Sequence, residues 1–384
     1  MSLFDPAAHE ALTTSRWDDA RAQLMIEQIT TRTAEAYEAG RFWPRHALDR
    51  YGSPSSRDKG LWIGAAGVLW ALDRLGSGIG EAGVYDAYLN DPDSPGSTGL
   101  MTGELGVVLV SWRLAPTARK AGRIAELIQA NLASPSHELF NGAPGGMLAA
   151  LHLYEATGES RWRELWLQCA DAMWEQFRVD PEIGHRIWIQ YRRGRMLRSI
   201  GAGHGFASNV RSLLRGETLL PAARAQEVQQ AATQTAVALA CEQDGLVNWP
   251  TAADTYWAQQ FPSRVQWCHG APGLITSLWS LPREERLDDL LRRAGELIWT
   301  AGPLRKGSGL CHGTSGNGFA FLALHRRFGE DLWIDRAHAF AAHAIEQLHA
   351  TDPRYSLWTG DLGVALYLDS CLHGFEGIPS FDTL

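Results

Sequence analysis

Residues 310–324 read LCHGTSGNGFAFLAL, a glycine-rich loop that runs directly into about two turns of apolar sequence. Its leading glycines, Gly313 and Gly316, are three residues apart. The same pattern of two close glycines followed by an apolar run occurs six more times: GLWIGAAGVLWAL (60–72), LMTGELGVVLVSW (100–112), LFNGAPGGMLAAL (139–151), GAGHGFASNVRSLL (201–214), WCHGAPGLITSLW (267–279) and LWTGDLGVALYL (357–368). In the fourth of these seven copies Ser208 replaces the second glycine. Seven copies at irregular spacing are typical of a repeat architecture with insertions on one face.

The segments between the copies have the pattern of amphipathic helices. In 18–37 and 287–302, for example, apolar residues recur every three or four positions with charged residues between them. The runs that follow the glycine pairs are apolar almost all round, which is typical of a buried helix. The sequence therefore predicts an all-α fold in which seven units, each an outer helix, a glycine-rich loop and an inner helix, close into a ring. The loops would gather at one mouth, where we expect the glycines to take positive φ.

Two segments depart from this pattern. Residues 185–201, HRIWIQYRRGRMLRSIG, alternate apolar and polar side chains around Arg193-Gly194, which predicts a β-hairpin or a mobile flap beside the mouth. The longest spacings flank the fourth copy, so we expect the insertions 186–200 and 250–265 to shape the route of substrates to the site.

Composition limits the class of protein. The chain has 384 residues, a formal charge of −8 and 45% apolar residues, which is typical of a globular protein and argues against general binding to nucleic acid. We expect one domain over 1–384, with 1–20 as a loosely attached N-terminal segment. No apolar run is long enough to span a bilayer, and the polar N-terminus does not have the pattern of a signal peptide. Five cysteines favour a cytoplasmic protein with metal-binding or reactive thiols over a disulfide framework.

The two positions before each first glycine carry metal-binding residue types only in copies four, five and six. These positions hold Gly203-His204, Cys268-His269 and Cys311-His312, whereas the other four copies hold Trp62-Ile63, Met101-Thr102, Phe140-Asn141 and Trp358-Thr359. Copies four to six are neighbours in a ring, so the two cysteines should face each other.

Two cysteines and one histidine with an open fourth position are typical of a catalytic zinc site. We expect one Zn²⁺ per chain, bound by Cys268, Cys311 and one histidine, with His312 the first candidate and His269 the second. The alternative is a pair of buried cysteines without metal. The remaining cysteines lie in apolar helical stretches and are predicted to be core residues: Cys169, Cys241 and Cys371.

A zinc ion with two cysteine ligands favours thiol chemistry over hydrolysis, because it stabilises a bound thiolate near neutral pH. Addition of a thiolate to a conjugated double bond also needs a proton donor and a cation near the enolate oxygen. His204 is the predicted acid, and Arg264, four residues before Cys268, is the predicted cation. Lys306 has a similar position before copy six.

Glu138, before copy three, could orient His204 or take a proton. Each of these residues also has an interpretation without catalysis. His204 could be a core histidine, Arg264 and Lys306 could be surface cations, and Glu138 could be a loop carboxylate. For the adjacent His137 we prefer a solvated loop position.

The motifs WCHGAPG, GLCHGTSGNGFAFL and GHG resemble those of the lanthionine synthetase C-like (LanC-like) family, over roughly Gly60 to Leu368. The resemblance implies an (α/α)7 toroid with a central zinc ion bound by Cys268, Cys311 and His312. It also implies that His204 is the acid–base histidine and that Arg264 matches the active-site arginine of the family.

Details of the motifs are closer to eukaryotic LanC-like proteins than to the bacterial lantibiotic cyclases. The cyclases carry an aspartate in copy three and often a tyrosine after the first zinc cysteine, where this chain has Glu138 and His269. The run KGSGLCHGTSGN, with Lys306, is also similar to the eukaryotic branch. That branch is associated with binding glutathione and with adding it to dehydroamino acids in proteins.

Three functions are compatible with these residues. The first is zinc-dependent addition of a thiol, from glutathione or a peptide cysteine, to dehydroalanine or dehydrobutyrine in a peptide or protein. The second is a protein that binds zinc and glutathione without turnover. The third is a carbohydrate-active α/α toroid, with some of the 16 tryptophans stacking on sugars. The third would need two carboxylates at the mouth, but Glu104 and Asp361 lie on copies two and seven, away from the cysteines.

Overall fold

The computed structural model describes residues 2–49, 57–192, 194–254 and 263–384. In these ranges fourteen α-helices form two concentric layers. The inner helices are α2 (Ala65–Arg74), α4 (Glu104–Leu114), α6 (Ala143–Thr157), α8 (Phe206–Arg215), α10 (Ala271–Leu278), α12 (Thr314–Phe328) and α14 (Asp361–His373). The outer helices are α1 (Asp19–Glu35), α3 (Val84–Asn90), α5 (Ala118–Leu132), α7 (Ser160–Gln176), α9 (Ala222–Ala238), α11 (Glu285–Ala301) and α13 (Asp331–His349).

The inner helices form a closed ring. Each packs on the next in chain order, and α14 packs back on α2. Most inner helices pack on the outer helix that follows them in the chain, as α6 does on α7 and α12 on α13, and α1 closes the outer layer by packing on α14. The predicted all-α fold and the (α/α)7 toroid are therefore confirmed.

Burial patterns explain the two layers. The outer helix α5 begins at its N-cap Thr117, whose hydroxyl accepts the backbone N–H of Lys120 at 3.2 Å. Its buried residues recur every three or four positions: Ala121, Ile124, Leu127, Ile128 and Asn131. In the inner helix α6, by contrast, every residue from Ala143 to Leu153 is buried. An all-apolar helix is stable here because other helices cover every side of it.

Each inner helix has a glycine as its N-cap, but our expectation of positive φ was wrong for six of the seven. Only Gly270 takes a positive φ, of 103°, whereas the others are extended; Gly64, for example, has a φ of −107°. Contact explains the glycine there, because a Cβ on Gly64 would lie 2.4 Å from the backbone nitrogen of Gly60. The loop folds back so tightly that no side chain fits.

The second glycine of each pair lets neighbouring copies approach closely. A Cβ on Gly316 would lie 1.8 Å from the carbonyl oxygen of Leu310 and 3.1 Å from the Cβ of Trp267, in the preceding copy. Gly67 of the first copy meets Leu357 of the seventh in the same way, at 3.0 Å. The second glycine of the pair is thus explained by the close packing between neighbouring inner helices.

Three two-stranded antiparallel hairpins lie in the parts of the long insertions that the structure describes. They are β1–β2 (Arg178–Val179 with Arg186–Ile187), β3–β4 (Gln190–Arg192 with Arg195–Leu197) and β5–β6 (Cys241–Gln243 with Leu246–Asn248). The hairpin predicted within 185–201 is present as β3–β4. Of the insertion 250–265, residues 255–262 lie outside the described residues.

The two ends of the chain contact the toroid at separate places. Near the N-terminus, the His9 ring bonds the carbonyl of Gly302 at 2.8 Å, and Glu10 pairs with His343 at 2.8 Å. Near the C-terminus, Phe381 is buried against Trp267, and Asp382 accepts the guanidinium of Arg211 at 2.6 Å. The tail thus packs against the inner ring.

Candidate metal centre

Backbone hydrogen bonds link most of the residues that lie two positions before the first glycines, in a series that runs around most of the mouth. In five successive pairs, the N–H of one residue donates to the carbonyl of its equivalent in the next copy, at 2.8–3.3 Å: Gly203 to Cys268, Cys268 to Cys311, Cys311 to Trp358, Trp358 to Trp62, and Trp62 to Met101. Equivalent positions are therefore neighbours in space, and copies four, five and six lie side by side.

The two cysteines of the CHG motifs lie together with a histidine. One ligand atom from each of Cys268, Cys311 and His312 lies within 4.8 Å of the other two. Both cysteines are buried and His312 is half-buried. The structure thus brings together the three residues that the sequence favoured as metal ligands.

The two thiols differ in acidity. A hydrogen bond from the Cys311 thiol holds the pKa of Cys268 well below its usual value, and the nearby charges of His269 and His312 act in the same direction against burial. Burial raises the pKa of Cys311 well above its usual value, and the neighbouring sulfur of Cys268 adds to the rise. Two buried sulfurs this close share one negative charge unless a cation lies between them.

The donor set fits zinc. Zinc bonds of about 2.0–2.3 Å to nitrogen and sulfur place the ligands of a tetrahedral site roughly 3.5–4 Å apart, close to the grouping seen here. A divalent cation would neutralise both sulfurs and so remove the cost of a buried thiolate. With Cys268, Cys311 and His312 as ligands, a fourth position is left for a further ligand.

A tight turn holds the first cysteine in place. Gln266 and His269 exchange two backbone hydrogen bonds of 3.1 and 3.0 Å, so Cys268 lies at the tip of a four-residue turn. The side-chain amide of Gln266 donates to the Cys268 sulfur at 2.9 Å and is buried. Gly270 follows, and its positive φ redirects the chain into α10.

Glu138 and His204 form a buried acid–base pair next to this cluster. The Glu138 carboxylate is fully buried and lies 2.7 Å from Nδ1 of His204, whose side chain is 22% exposed. Glu138 also accepts the backbone N–H groups of Phe140 and Asn141, at 3.1 and 2.9 Å. These bonds hold the carboxylate in place, so that it can orient the histidine ring.

The loop that carries Glu138 is held by the helix that follows His204. His137 adopts a left-handed φ of 43°, which turns the chain so that Glu138 faces inward. Its carbonyl accepts the side-chain amide of Asn209, in α8, at 2.8 Å. We predicted a solvated position for His137, but it is half-buried, and burial lowers its pKa.

A row of aromatic rings connects the histidine to the cysteine loops. The distances between ring centroids are 4.3 Å from His204 to Phe140, 4.7 Å from Phe140 to Trp62, 4.9 Å from Trp62 to Trp358, and 4.3 Å from Trp358 to Trp267. Trp62 is half-buried, and the three other carbon rings are buried. The rings form an apolar wall, and electrostatic interactions are stronger beside such a wall than in water.

Three further predicted residues lie around this centre. Arg264 has an exposed side chain, and its carbonyl accepts the Asn248 amide at 3.2 Å. Lys306 is exposed and lines a small cleft with His312 and Arg354, and its charge opposes the rise in the pKa of Cys311. His269 is close enough to lower the pKa of Cys268.

The remaining cysteines do not belong to the centre, and one prediction about them was wrong. Cys169 is buried in α7, where burial raises its pKa to about 12. Cys371 is half-buried in α14. Cys241 was predicted to be a core residue, but it is exposed in β5 because the helix before it ends at Ala238.

The carboxylates considered for a sugar hydrolase are paired separately. Glu104 accepts Arg123 at 2.8 Å, which lowers its pKa, and also bonds the hydroxyl of Tyr85. Asp361 accepts Arg32 at 2.6 Å, and burial raises its pKa to about 6. Glu104 and Asp361 are thus each paired with a different arginine.

Sequence patterns missed two residues that shape the centre. Gln266 has no counterpart in the other CHG copy, where Gly309 occupies the same position, so the repeat did not single it out. Asn209 is fully buried in α8. A polar residue within a buried helix was the one available signal for it.

No helix within the described ranges is both long enough and apolar enough to cross a membrane.

Comparison with known proteins places the second half of the chain in a family. Residues 189–382 match the sequence model described as lanthionine synthetase C-like protein. The chain is 36% identical over 116 residues to glutathione S-transferase LANCL1 of Danio rerio, and 37% identical over 118 residues to LanC-like protein GCL1 of Arabidopsis thaliana. Each alignment covers less than a third of both proteins, 28% for the first and 27% for the second.

The fold extends the likeness to nearly the whole chain. A solved structure of nisin cyclase superimposes with a TM-score of 0.63 over 92% of this chain and 94% of that one, at 14% sequence identity. At this identity the match shows a common fold.

Proposed function

The chain belongs to the lanthionine synthetase C-like family, and we propose that it is an enzyme that adds a thiol to a dehydroamino acid. In this reaction the S–H of a thiol adds across the double bond of dehydroalanine or dehydrobutyrine in a peptide or protein, which forms a thioether. The observation that supports this function most directly is that a two-cysteine, one-histidine cluster lies beside the copy that carries His204, which is hydrogen-bonded to the buried Glu138.

The proposed cofactor is one zinc ion per chain, with Cys268, Cys311 and His312 as its ligands. Bound zinc would supply a cation that keeps the substrate thiol in its nucleophilic thiolate form near neutral pH.

His204 is the proposed acid. Attack of the thiolate on the β-carbon forms the carbon–sulfur bond and moves the π electrons of the double bond onto the α-carbon and carbonyl oxygen. His204 then delivers a proton to the α-carbon, which completes the addition. Since Glu138 lies against Nδ1 of His204, Nε2 is the atom left to transfer this proton. The thiol releases its proton to solvent when the thiolate forms, and His204 regains one proton from solvent after the addition, so the net change is the addition of S–H across the double bond.

Glu138 orients the ring, because its carboxylate is buried and held by two backbone N–H groups. Arg264 is the proposed cation for the enolate oxygen or a substrate carboxylate. Lys306 and His269 are proposed to contact the thiol substrate, since both lie close enough to influence the pKa of a cysteine of the cluster.

Glutathione is the thiol donor we favour. A relative named glutathione S-transferase matches part of the chain, and copy three has a glutamate like the LanC-like proteins of eukaryotes. A cysteine in the substrate peptide is the other candidate, and it would give a lanthionine ring. A cytoplasmic location agrees with a glutathione-dependent reaction.

Mass spectrometry tests this function directly. The zinc-loaded protein is incubated with a peptide that contains dehydroalanine, in one reaction with glutathione and in another with a cysteine inside the peptide. We expect a glutathione adduct whose rate of formation falls by about 100-fold or more in His204→Ala, and by a similar factor in Glu138→Gln.

His373→Ala is the matched control, because His373 is an exposed histidine at the end of α14. Cyclised peptide without glutathione uptake would assign the peptide cysteine as donor. Wild-type protein that binds zinc but yields neither product would contradict catalysis and favour a protein that binds zinc and glutathione.

A further inference from the structure

The buried amide of Gln266 uses its N–H to bond a cysteine sulfur. The distance from Nε2 to the Cys268 Sγ is 2.9 Å, and the residue is only 7% exposed. A thiol sulfur is a weak acceptor, so a buried amide gains little from it. A thiolate sulfur is a much better partner, because hydrogen bonds to an ionised acceptor are roughly twice as strong.

The local backbone fixes this contact. Gln266 and His269 close a four-residue turn by two mutual hydrogen bonds, and the N–H of Cys268 donates to the carbonyl of Cys311 at 3.0 Å. The side-chain amide of Asn317, in α12, donates to the carbonyl of Val265, the residue before Gln266, at 2.9 Å. Both ends of the N–H···S contact are therefore held in place by other bonds.

The contact is specific to one of the two cysteines. The residue two positions before Cys311 is Gly309, and a Cβ there would lie 2.8 Å from the backbone of Thr359. No side chain can reach the Cys311 sulfur from that position without moving the chain. The two CHG copies therefore give their sulfurs different surroundings.

We propose that Gln266 is a positioning residue of the metal centre, which holds the Cys268 sulfur in its ligating orientation through the N–H···S bond and slows loss of the metal. The bond also withdraws electron density from that sulfur and so weakens its donation to the metal. This inference depends on the zinc site of the proposed function, but not on turnover.

The primary test measures zinc release into excess chromogenic chelator from the zinc-loaded full chain. We expect Gln266→Leu, which removes the donor, to release zinc about 10-fold faster than wild type, as is common when the hydrogen-bond partner of a metal ligand is lost. Gln266→Glu keeps the shape of the side chain but places acceptor oxygens against the sulfur. Zinc release from this variant should therefore be at least as fast as from Gln266→Leu. Gln226→Leu, an exposed substitution on α9, is the matched control and should release zinc at the wild-type rate.

A spectroscopic measurement separates this role from a merely structural one. In cobalt-substituted protein, loss of the hydrogen bond raises the energy of the sulfur lone pairs, so the sulfur-to-cobalt charge-transfer band of Gln266→Leu should move to longer wavelength. The thermal midpoints of metal-free wild type and variant show whether the fold itself has changed.

Equal release rates and an unmoved band would overturn the proposal for Gln266. The proposal would also be overturned if Gln266→Leu released zinc faster but had a lower thermal midpoint without metal and an unmoved charge-transfer band. If wild type bound no stoichiometric zinc, the metal site of the proposed function would itself fail, which is a distinct result.

Discussion

At the scale of single residues, the repeat pattern predicted which side chains meet but not what surrounds them. Cys268 and Cys311 occupy equivalent positions in adjacent copies, and His204 follows the equivalent position, Gly203, in the copy before them, so a ring of helices brings these residues to one side of the mouth. The sequence left open whether Glu138 orients His204, takes a proton or is a loop carboxylate, and in the structure the carboxylate lies 2.7 Å from the ring. Gln266 could not be predicted, because its contact depends on a turn that only one of the two CHG copies forms.

The metal site gives a prediction with an internal control among the cysteines. Cys311→Ala removes a ligand from the cluster, whereas Cys241→Ala changes an exposed cysteine outside it. We expect the zinc content of purified protein to fall from about one per chain to near zero in Cys311→Ala and to remain at about one in Cys241→Ala. Elemental analysis measures both, and retention of zinc by Cys311→Ala would show that the ligand set is wrong.

At the scale of helices and loops, the glycine pairs were the strongest signal in the sequence, but the physical reason for them differs from the predicted one. The pattern fixed where each inner helix begins, since every inner helix has the first glycine of its pair as N-cap. The sequence alone cannot show whether a glycine is required because its φ is positive or because no side chain would fit at that position. Outside Gly270, contact is the reason, because backbone atoms occupy the place of a Cβ.

Two glycine substitutions test this contact argument in opposite directions. Gly316→Ala places a methyl group against the carbonyl of Leu310 and the Cβ of Trp267, so the inner helix must shift. We expect a loss of roughly 2–4 kcal/mol in the free energy of unfolding. Gly122→Ala lies within the outer helix α5 with nothing within 4 Å of the new methyl group, and should gain up to about 1 kcal/mol.

Denaturant unfolding of the two variants beside wild type measures both changes. A neutral or stabilising Gly316→Ala would show that neighbouring copies are not in close contact there.

At the scale of the whole molecule, the ring closes through contacts between residues far apart in sequence. The N–H of Trp358 in copy seven donates to the carbonyl of Trp62 in copy one, at 3.2 Å. Arg32 of α1 pairs with Asp361 at the start of α14, at 2.6 Å. The seven copies made closure predictable, but the pair of Arg32 with Asp361 was not predictable, because Arg32 lies outside the repeated motif.

Asp361 should make the stability of this closure depend on pH. Burial raises its pKa from 3.8 to about 6 in the folded protein, and the pairing with Arg32 opposes only part of that rise. A carboxyl group with a raised folded pKa stabilises the fold fully below about pH 4, where it is protonated in both states. This contribution is lost as the pH rises through 6, because the buried group must then be charged.

Asp361→Asn carries no titrating group and should lose this dependence. Between pH 4 and pH 7 we expect the free energy of unfolding of wild type to fall by about 2–3 kcal/mol relative to the variant. Asp331→Asn is the matched control, since Asp331 is also the first residue of a helix, α13, but is exposed. Its difference from wild type should stay within about 0.5 kcal/mol across the range. Denaturant unfolding of the three proteins at pH 4, 5, 6 and 7 measures the effect, and parallel curves for wild type and Asp361→Asn would mean that the Arg32 pair keeps Asp361 ionised throughout.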